Sequence, residues 1–589
     1  MTPGIKQIND NSKIVDSPPT SPGRSQSEPP TVIGMGREVN ASYPCESLFL
    51  KKLPIEIKYK IIDYLDLPTV ALLKRTCSGL YDVIEEGDVM AKAWYRWFSS
   101  AHQAQLKAVI STKDKDQISD WLGRFTNDKA LIKSLVERRE SDEFPAIFYF
   151  TISELMSECK AFKLVEKGEI SHDSEIRSAT FSGDGRHVVT MSTKVDDHTV
   201  KISGRDISGS WGVKTSFFHT DLINSATFSP DCNHLVTASD DGTAKIYGHS
   251  ADGSWKAKVT ITHDSMVSSA IFSPGGTLVV TASYDNTAKI YGLEANGSWV
   301  PKAGISHDDS ILSATFSADG RYLITTAGGA DSAKIHSQED DGSWLETGSI
   351  PDISHVTFAT FSHDGAHVLT IGKMPENDPM MFPPSSLDFP YMVKICGQKA
   401  DGSWEAQADI RHSSWVISAS FSPDSSHIVT ASIGGTVKIC GQKADESWEP
   451  KAIFFHKGLV TSATFSADGC HLVTASHDKT VKVYGLKAGG NWEEQVTIAH
   501  DAEVDSAFFS ADGRHVVTAS RDKTAKIIGQ QIDGSWVVKA SISHQGEVNS
   551  ASFSADCCHV VTASEDGTAK ITEIRGSLVS PEPAQSGGD

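Results

Sequence analysis

The sequence predicts a mainly β fold, a ring of four-stranded sheets of the β-propeller class, with helices ahead of it. Three observations carry that prediction. First, a phrase of the type Phe-Ser-x-Asp-Gly returns at Phe181, Phe228, Phe272, Phe316, Phe361, Phe421, Phe465, Phe509 and Phe553, mostly 44 residues apart. A period in the forties is that of a blade built from four short strands. Second, each unit parses into four strands. "SATFS" alternates small and large residues, "DG" turns the chain, and "HLVTAS" is rich in β-branched residues. "DKTVKVYG" then gives a turn and a third strand, and "ADGSW" opens a fourth whose Trp can pack between neighbouring sheets. Third, the bookkeeping at the ends implies closure. The fourth strand follows Trp211, Trp255, Trp299, Trp344, Trp404, Trp448, Trp492 and Trp536, whereas the ninth set ends at "TAKITEIRG" with no such strand after it. "AFKLVEKGEISH" (161–172) resembles "SWVVKASISH" (535–544), so an N-terminal strand can complete the last blade and remove the exposed edges. The expectation is nine blades over 161–575. An eight-bladed ring with one irregular unit and a pair of smaller rings are the alternatives.

The rest of the chain is read against that ring. The sequence has 589 residues and a formal net charge of −21, which repels phosphate backbones and argues against nucleic acid as a partner. Its nine Cys form no CxxC pair and read as reduced thiols of a cytosolic protein, with neither disulfides nor a metal site expected. No run of apolar residues is long enough to span a membrane. Residues 1–42, rich in Ser and Pro, are expected to be disordered, as is the tail 576–589.

A polar set recurs with the blades. A His lies eight residues after the Trp, a Ser ends "TAS", and an Asp follows two residues later. Examples are His219/Ser239/Asp241, His263/Ser283/Asp285, His456/Ser476/Asp478, His500/Ser520/Asp522 and His544/Ser564/Asp566, with His172, Ser192 and Asp197 in the first unit. These are the residue types of a hydrolase triad. Their repetition in most blades favours a structural role, an Asp bridging a His and a turn so that buried polar groups are satisfied. No catalytic residue and no cofactor is expected. The unit resembles a WD repeat, which pairs such a His, Ser and Asp with a Trp on the third strand. Here Tyr247, Tyr291, Cys440, Tyr484 or Ile528 stands at that Trp position and Gly follows in place of the Asp.

Three neighbouring units depart from the pattern. Ala327 replaces the Ser of the fourth. The fifth has Asp352 at the His register and Gly372 at the Ser register, and Gly434 replaces the Asp of the sixth. The fifth also carries the insertion "KMPENDPMMFPPSSLDFPY" (373–391). The resemblance implies that the face bearing this turn receives ligands, so Met380, Met381, Phe382 and Phe389, with Trp415 nearby, form a candidate substrate-binding lip. Of the few Arg in the ring, only Arg177, Arg205 and Arg411 fall close to face loops, which disfavours a phosphopeptide reader. The recurring Lys of "AKI" or "VKI" (Lys201, Lys245, Lys289, Lys394, Lys438, Lys482, Lys526) reads as a solvated strand face.

Ahead of the ring, "LPIEIKYKIIDYLDLPTVALLKRTCSGLYDVI" (53–84) places Ile57, Ile61, Ile62 and Leu65 on one helical face after Leu53-Pro54, with Pro68 opening a second helix. It resembles an F-box, here given the bounds 43–90. Leu80 or Tyr81 stands where many members have Trp. The resemblance implies binding of the Skp-type adaptor of a cullin–RING ubiquitin ligase through Leu53, Pro54, Ile57, Ile61 and Leu65. Residues 91–160, which include "AWYRWF" and "ISDWLGRF", read as a helical linker. The combined expectation is a non-catalytic substrate receptor of a Skp–cullin–F-box ligase. The F-box would hold the adaptor and the ring a protein target, in the cytoplasm, in the host cytosol for a delivered bacterial protein, or in the nucleus. The alternative is a propeller scaffold with no ligase role.

Overall fold

The structure, a computed structural model, describes residues 89–577 apart from 97, 99, 112, 193–196, 207–208, 251–252, 330–332, 351–352, 374–390, 401, 444, 488 and 532. Among the described residues five helices lead into the ring: α1 (Val89–Tyr95), α2 (Ser100–Ser111), α3 (Lys115–Leu122), α4 (Lys129–Glu137) and α5 (Phe144–Glu158). Asp114 caps α3 with a reciprocal Gln117 contact, and Asp128 caps α4. Pro145 opens α5, where its missing N–H costs nothing.

Nine antiparallel four-stranded sheets follow. Blade 1 spans Ile176–Phe218, blade 2 Ile223–Thr262, blade 3 Val267–Ser306, blade 4 Ile311–Ser349 and blade 5 Ser354–His412. Blade 6 spans Val416–Phe455, blade 7 Val460–Ala499, blade 8 Val504–Ser543 and blade 9 Val548–Ser577. The outer strand of blade 9 is Ala161–Ser171, which pairs with Thr568–Ser577 from Ala161↔Ser577 to Ser171↔Thr568. Closure therefore runs through the N-terminal strand, as the end count of the repeats predicts, with the last strand ending at Ser577 rather than at residue 575.

Within a blade, the second strand is the most deeply buried, since neighbouring sheets cover both its faces. In His234–Ser239 every residue after the His is buried. The turn before it is held by side chains: Ser182 Oγ donates to Asp184 Oδ1 at 2.6 Å and accepts from the His187 N–H at 2.9 Å, while Gly185 takes φ +67°. The outer-strand Trp does fill the space between sheets. Trp255 of blade 2 meets His187 of blade 1 edge-on at 5.6 Å and Phe228 of its own blade at 5.9 Å. The same trio recurs as Trp448, His367 and Phe421 and as Trp536, His471 and Phe509. On the Trp-less closing strand Phe162 takes the part, 5.5 Å from His515.

The helices are not a free linker. One apolar core joins Trp121, Phe125, Phe148 and Met156 to Phe162, Val517, Cys557, Val560 and Ile574 of blades 8 and 9. Polar ties reinforce it. His102 Nε2 donates to Ala511 O at 2.9 Å, and Arg514 pairs with Glu154. The Gly576 N–H donates to Arg124 O at 2.8 Å, where a Cβ would strike Cys159 Sγ at 2.6 Å. Lys539 is 1% exposed. Its Nζ donates to the carbonyls of Met156 and Ser157 at 3.4 and 3.2 Å, and to that of Cys159. It thereby supplies a cation to the C-terminus of α5.

Candidate functional site

The repeated polar set ties blade to blade. His219 follows the outer strand of blade 1 but bonds into blade 2. Its Nδ1 donates to Asp241 Oδ2 at 2.9 Å, and its Nε2 meets Thr237 Oγ1 at 2.8 Å. The Asp241 carboxylate also accepts from the Thr220 N–H at 3.0 Å, the Thr243 N–H at 2.9 Å and the Thr243 hydroxyl at 2.6 Å. Burial raises the Asp241 pKa, but these donors outweigh it and hold the group at about 2. Burial lowers the His219 pKa, against the opposing pull of Asp241, and keeps the imidazole neutral.

The arrangement returns at His263/Thr281/Asp285, His456/Thr474/Asp478, His500/Thr518/Asp522 and His544/Thr562/Asp566. At the closure, His172 on the end of Ala161–Ser171 meets Thr190 at 2.8 Å and Thr199 at 3.0 Å in blade 1, with Asp197 3.6 Å away. The expected His–Ser–Asp set is thus corrected to His–Thr–Asp. Thr237 sits one step deeper on the second strand than Ser239, within reach of the imidazole. Ser239 instead accepts from the Asp241 N–H at 3.1 Å and donates to Asp221 O at 3.1 Å, fixing the turn. Thr237, Thr281, Thr474, Thr518 and Thr562 are all fully buried, so no substrate reaches the hydroxyl that each imidazole touches. The position of the absent Trp is also accounted for: Tyr247 stacks on Phe217 of blade 1 at 3.6 Å, and Tyr484 on Phe454 of blade 6 at 4.0 Å.

The recurring Lys is half-exposed in every blade but the fifth, and in most of these it also bonds to backbone. Lys245 Nζ donates to Phe218 O at 2.8 Å, Lys289 to Thr262 O at 2.6 Å and Lys526 to Ala499 O at 2.6 Å, each tying the end of the preceding outer strand. Lys394 is buried against Asp409 at 3.1 Å. Each of the carbonyl contacts is a charge-assisted hydrogen bond to backbone at a strand end.

Blades 4 to 6 break this network. His307 and His412 keep their Thr325 and Thr430 contacts at 2.8 Å. At His412 the Asp register holds Gly434, whose N–H donates to Ser414 Oγ at 2.9 Å. Burial lowers both imidazoles to about 4.

The inner strands also differ here. In blades 2, 3, 7 and 9 the second residue of the inner strand reaches the next blade: Asn224 to Val267 O at 2.9 Å, Ser268 to Ile311 O at 3.2 Å, Thr461 to Val504 O at 2.9 Å and Asn549 to Ile176 O at 2.9 Å. In blade 5 the equivalent Thr357 turns back to Ile371 O of its own blade at 3.5 Å, and in blade 6 the position is Ile417. A hollow of about 410 Å³ lies at this seam, lined by Phe358, Ile371, Trp415, Val416 and Ile417 among others. Phe358 is 38% exposed, Ile417 39% and Trp415 46%. Trp415 stacks on Tyr391 with centroids 5.8 Å apart and planes 5° apart. Tyr391 and its cross-strand partner Lys373 are the two ends of the fifth-blade insertion, so Trp415 lies at its base. Met380, Met381, Phe382 and Phe389 fall outside the described residues, as do Leu53, Pro54, Ile57, Ile61 and Leu65. Phe358 and Ile417 escape the sequence reading because they occupy positions that are polar in most other units. That substitution is the signal that marks them. Arg177 and Arg411 are exposed, on the inner strand of blade 1 and at the end of the outer strand of blade 5. Arg205 lies at the far end of its strand from the His-bearing loops.

Residues 212–248, 255–292, 407–440, 448–485, 492–528 and 536–572 match the WD domain, G-beta repeat. The chain carries WD40 repeats within a nine-bladed β-propeller. No curated protein matches it. Among solved structures it is similar to Sqt1 of Saccharomyces cerevisiae, at 14% identity and TM-score 0.45 over 61% of this chain and 97% of that one. It is also similar to Sqt1 of Chaetomium thermophilum, at 14% identity and TM-score 0.47 over 71% and 100%. The latter protein bound to the N-terminus of the ribosomal protein L10 aligns at 15% identity and TM-score 0.46 over 72% and 100%.

Proposed function

We propose that this protein is the substrate-recognition subunit of a Skp–cullin–F-box ubiquitin ligase. Leu53, Pro54, Ile57, Ile61 and Leu65 would take the adaptor, and the propeller would take a protein target at the seam of blades 5 and 6. The observation that carries the reading is the welding of α1–α5 onto blades 8 and 9 directly after an F-box-like segment. A docking segment joined to the ring through a packed helical block holds its cargo at a set distance from the ligase, and rate enhancement then comes from proximity. Ubiquitin transfer is the work of the partner enzymes. No two of the seven Cys of the described residues are joined in a disulfide, which suits a reducing cytosol. Affinity capture of the full chain, read by mass spectrometry, tests the proposal. The adaptor and cullin should co-purify with the intact chain and vanish with Leu53→Ala/Pro54→Ala. Their absence from the intact chain refutes the ligase role. It would leave the second reading, a protein-binding scaffold, which rests on the WD40 repeats alone.

A further inference from the structure

A cleft of about 820 Å³ opens between the helical block and the ring, far from the seam of blades 5 and 6. Its walls come from α3, the 123–127 loop and α4 on one side, and from the closing strand, the end of blade 9 and Arg205 of blade 1 on the other. In a chain of net charge −21, this cleft gathers seven cationic side chains and three acidic ones.

At its floor Glu573, 2% exposed, is met by Lys167 at 2.7 Å, Arg124 at 2.9 Å and Arg575 at 3.1 Å. One carboxylate therefore balances three cations drawn from both walls. Higher up, Lys129 and Lys133 on α4 face the same space as Arg205 of blade 1, all of them exposed. Lys133 has only a 3.8 Å contact with Glu137. Asp116 and Asp120 on α3 offset part of this charge. Like charges on opposed walls repel, and a cleft with low-dielectric sides concentrates their field. A multivalent anion seated between them removes that repulsion and joins the two walls.

We propose that this cleft is a binding site for a small polyphosphorylated anion, which bridges the helical block to the ring. The size fits a compact organic ligand rather than a single phosphate. Guanidinium and ammonium groups converging from two sides suit phosphate oxygens, with the guanidiniums able to engage two at once. The buried Glu573 already shows Arg124, Lys167 and Arg575 converging on one anionic group. Ligand binding would leave those contacts intact and recruit Lys129, Lys133 and Arg205.

The test uses the full-length protein and sodium tripolyphosphate as probe, by titration calorimetry at fixed ionic strength. Orthophosphate and sulfate serve as comparators. Saturable binding is expected for tripolyphosphate, much weaker for the two small anions, together with a rise in the melting temperature. Hydrogen exchange should slow across Lys115–Leu122 and Lys129–Glu137 on binding. The triple variant Lys129→Glu/Arg205→Glu/Lys133→Glu should lose affinity on the order of 100-fold. Its melting temperature without ligand should stay near that of the parent, since all three side chains are exposed. Absence of saturable binding by the parent, equal binding by the triple variant, or equal stabilisation by sulfate at matched ionic strength would each overturn the assignment.

Discussion

Gly168 on the closing strand passes so near Trp211 of blade 1 that a Cβ there would stand 2.7 Å from the Trp211 Cβ. The contact belongs to the seam where Ala161–Ser171, the first described strand, completes the ninth sheet. Gly168→Val forces these strands apart. It should destabilise the protein by about 1–3 kcal/mol, read as a lowered urea midpoint. Gly212→Ala is the control. Nothing stands within 4 Å of its Cβ position, and φ is not positive. That variant should be neutral or slightly stabilising.

Acid should weaken the ring in two stages. His307 and His412 have folded-state pKa values near 4, below the ordinary value of 6.5, because burial disfavours the imidazolium. A depressed His contributes stability that is complete above pH 6.5 and is lost as pH falls toward 4. Asp241 and Asp522, held at about 2, add a loss only below the ordinary carboxylate range. Stability should therefore fall between pH 7 and pH 5, by about 1–2 kcal/mol for each such His. His412→Gln should be less stable than the parent at pH 7 and show a shallower decline over that range. An equally steep decline would refute the assignment.

The Lys539 cation holds the end of α5. Lys539→Met keeps most of the aliphatic volume and removes the donor to three carbonyls, at a cost of about 2–3 kcal/mol. Limited proteolysis should then release fragments cut within residues 89–160 while the propeller resists. Cleavage at the parent's rate would mean that the apolar core alone holds the helices.

Trp415→Ala and Ile417→Asp alter exposed side chains beside the hollow of blades 5 and 6. Each should reduce co-captured target protein by about tenfold or more, with the unfolding midpoint within about 0.5 kcal/mol of the parent. Leu345→Asp, at a 54% exposed site on the outer strand of blade 4, should leave capture unchanged.

The ring was legible because its information is periodic. Phe at a steady interval, Trp at the head of eight outer strands and an unmatched strand at each end point to nine blades and to the closure. The His–Asp pairing was legible for the same reason, since both side chains recur at fixed spacing. Its third member was not. Thr237 and Ser239 are both hydroxyl residues on one face of one strand, and only depth in the sheet decides which meets the imidazole. The backbone bonds of the Lys residues were not legible, because an exposed-looking alternation says nothing about carbonyls contributed by the neighbouring blade. The seating of the helices on blades 8 and 9 escaped altogether. Lys539 occupies an outer-strand position that holds an exposed Lys in other units, and its burial depends on a helix roughly 380 residues away in the chain.

Pairing Ala161 with Ser577 sets a timetable for biogenesis. Eight sheets can assemble as the ribosome delivers them, yet the ninth waits for a partner made roughly four hundred residues earlier, which must stay unpaired until then. A nascent chain of this kind carries a waiting edge throughout its synthesis, and its window for misassembly closes only when the final strand arrives.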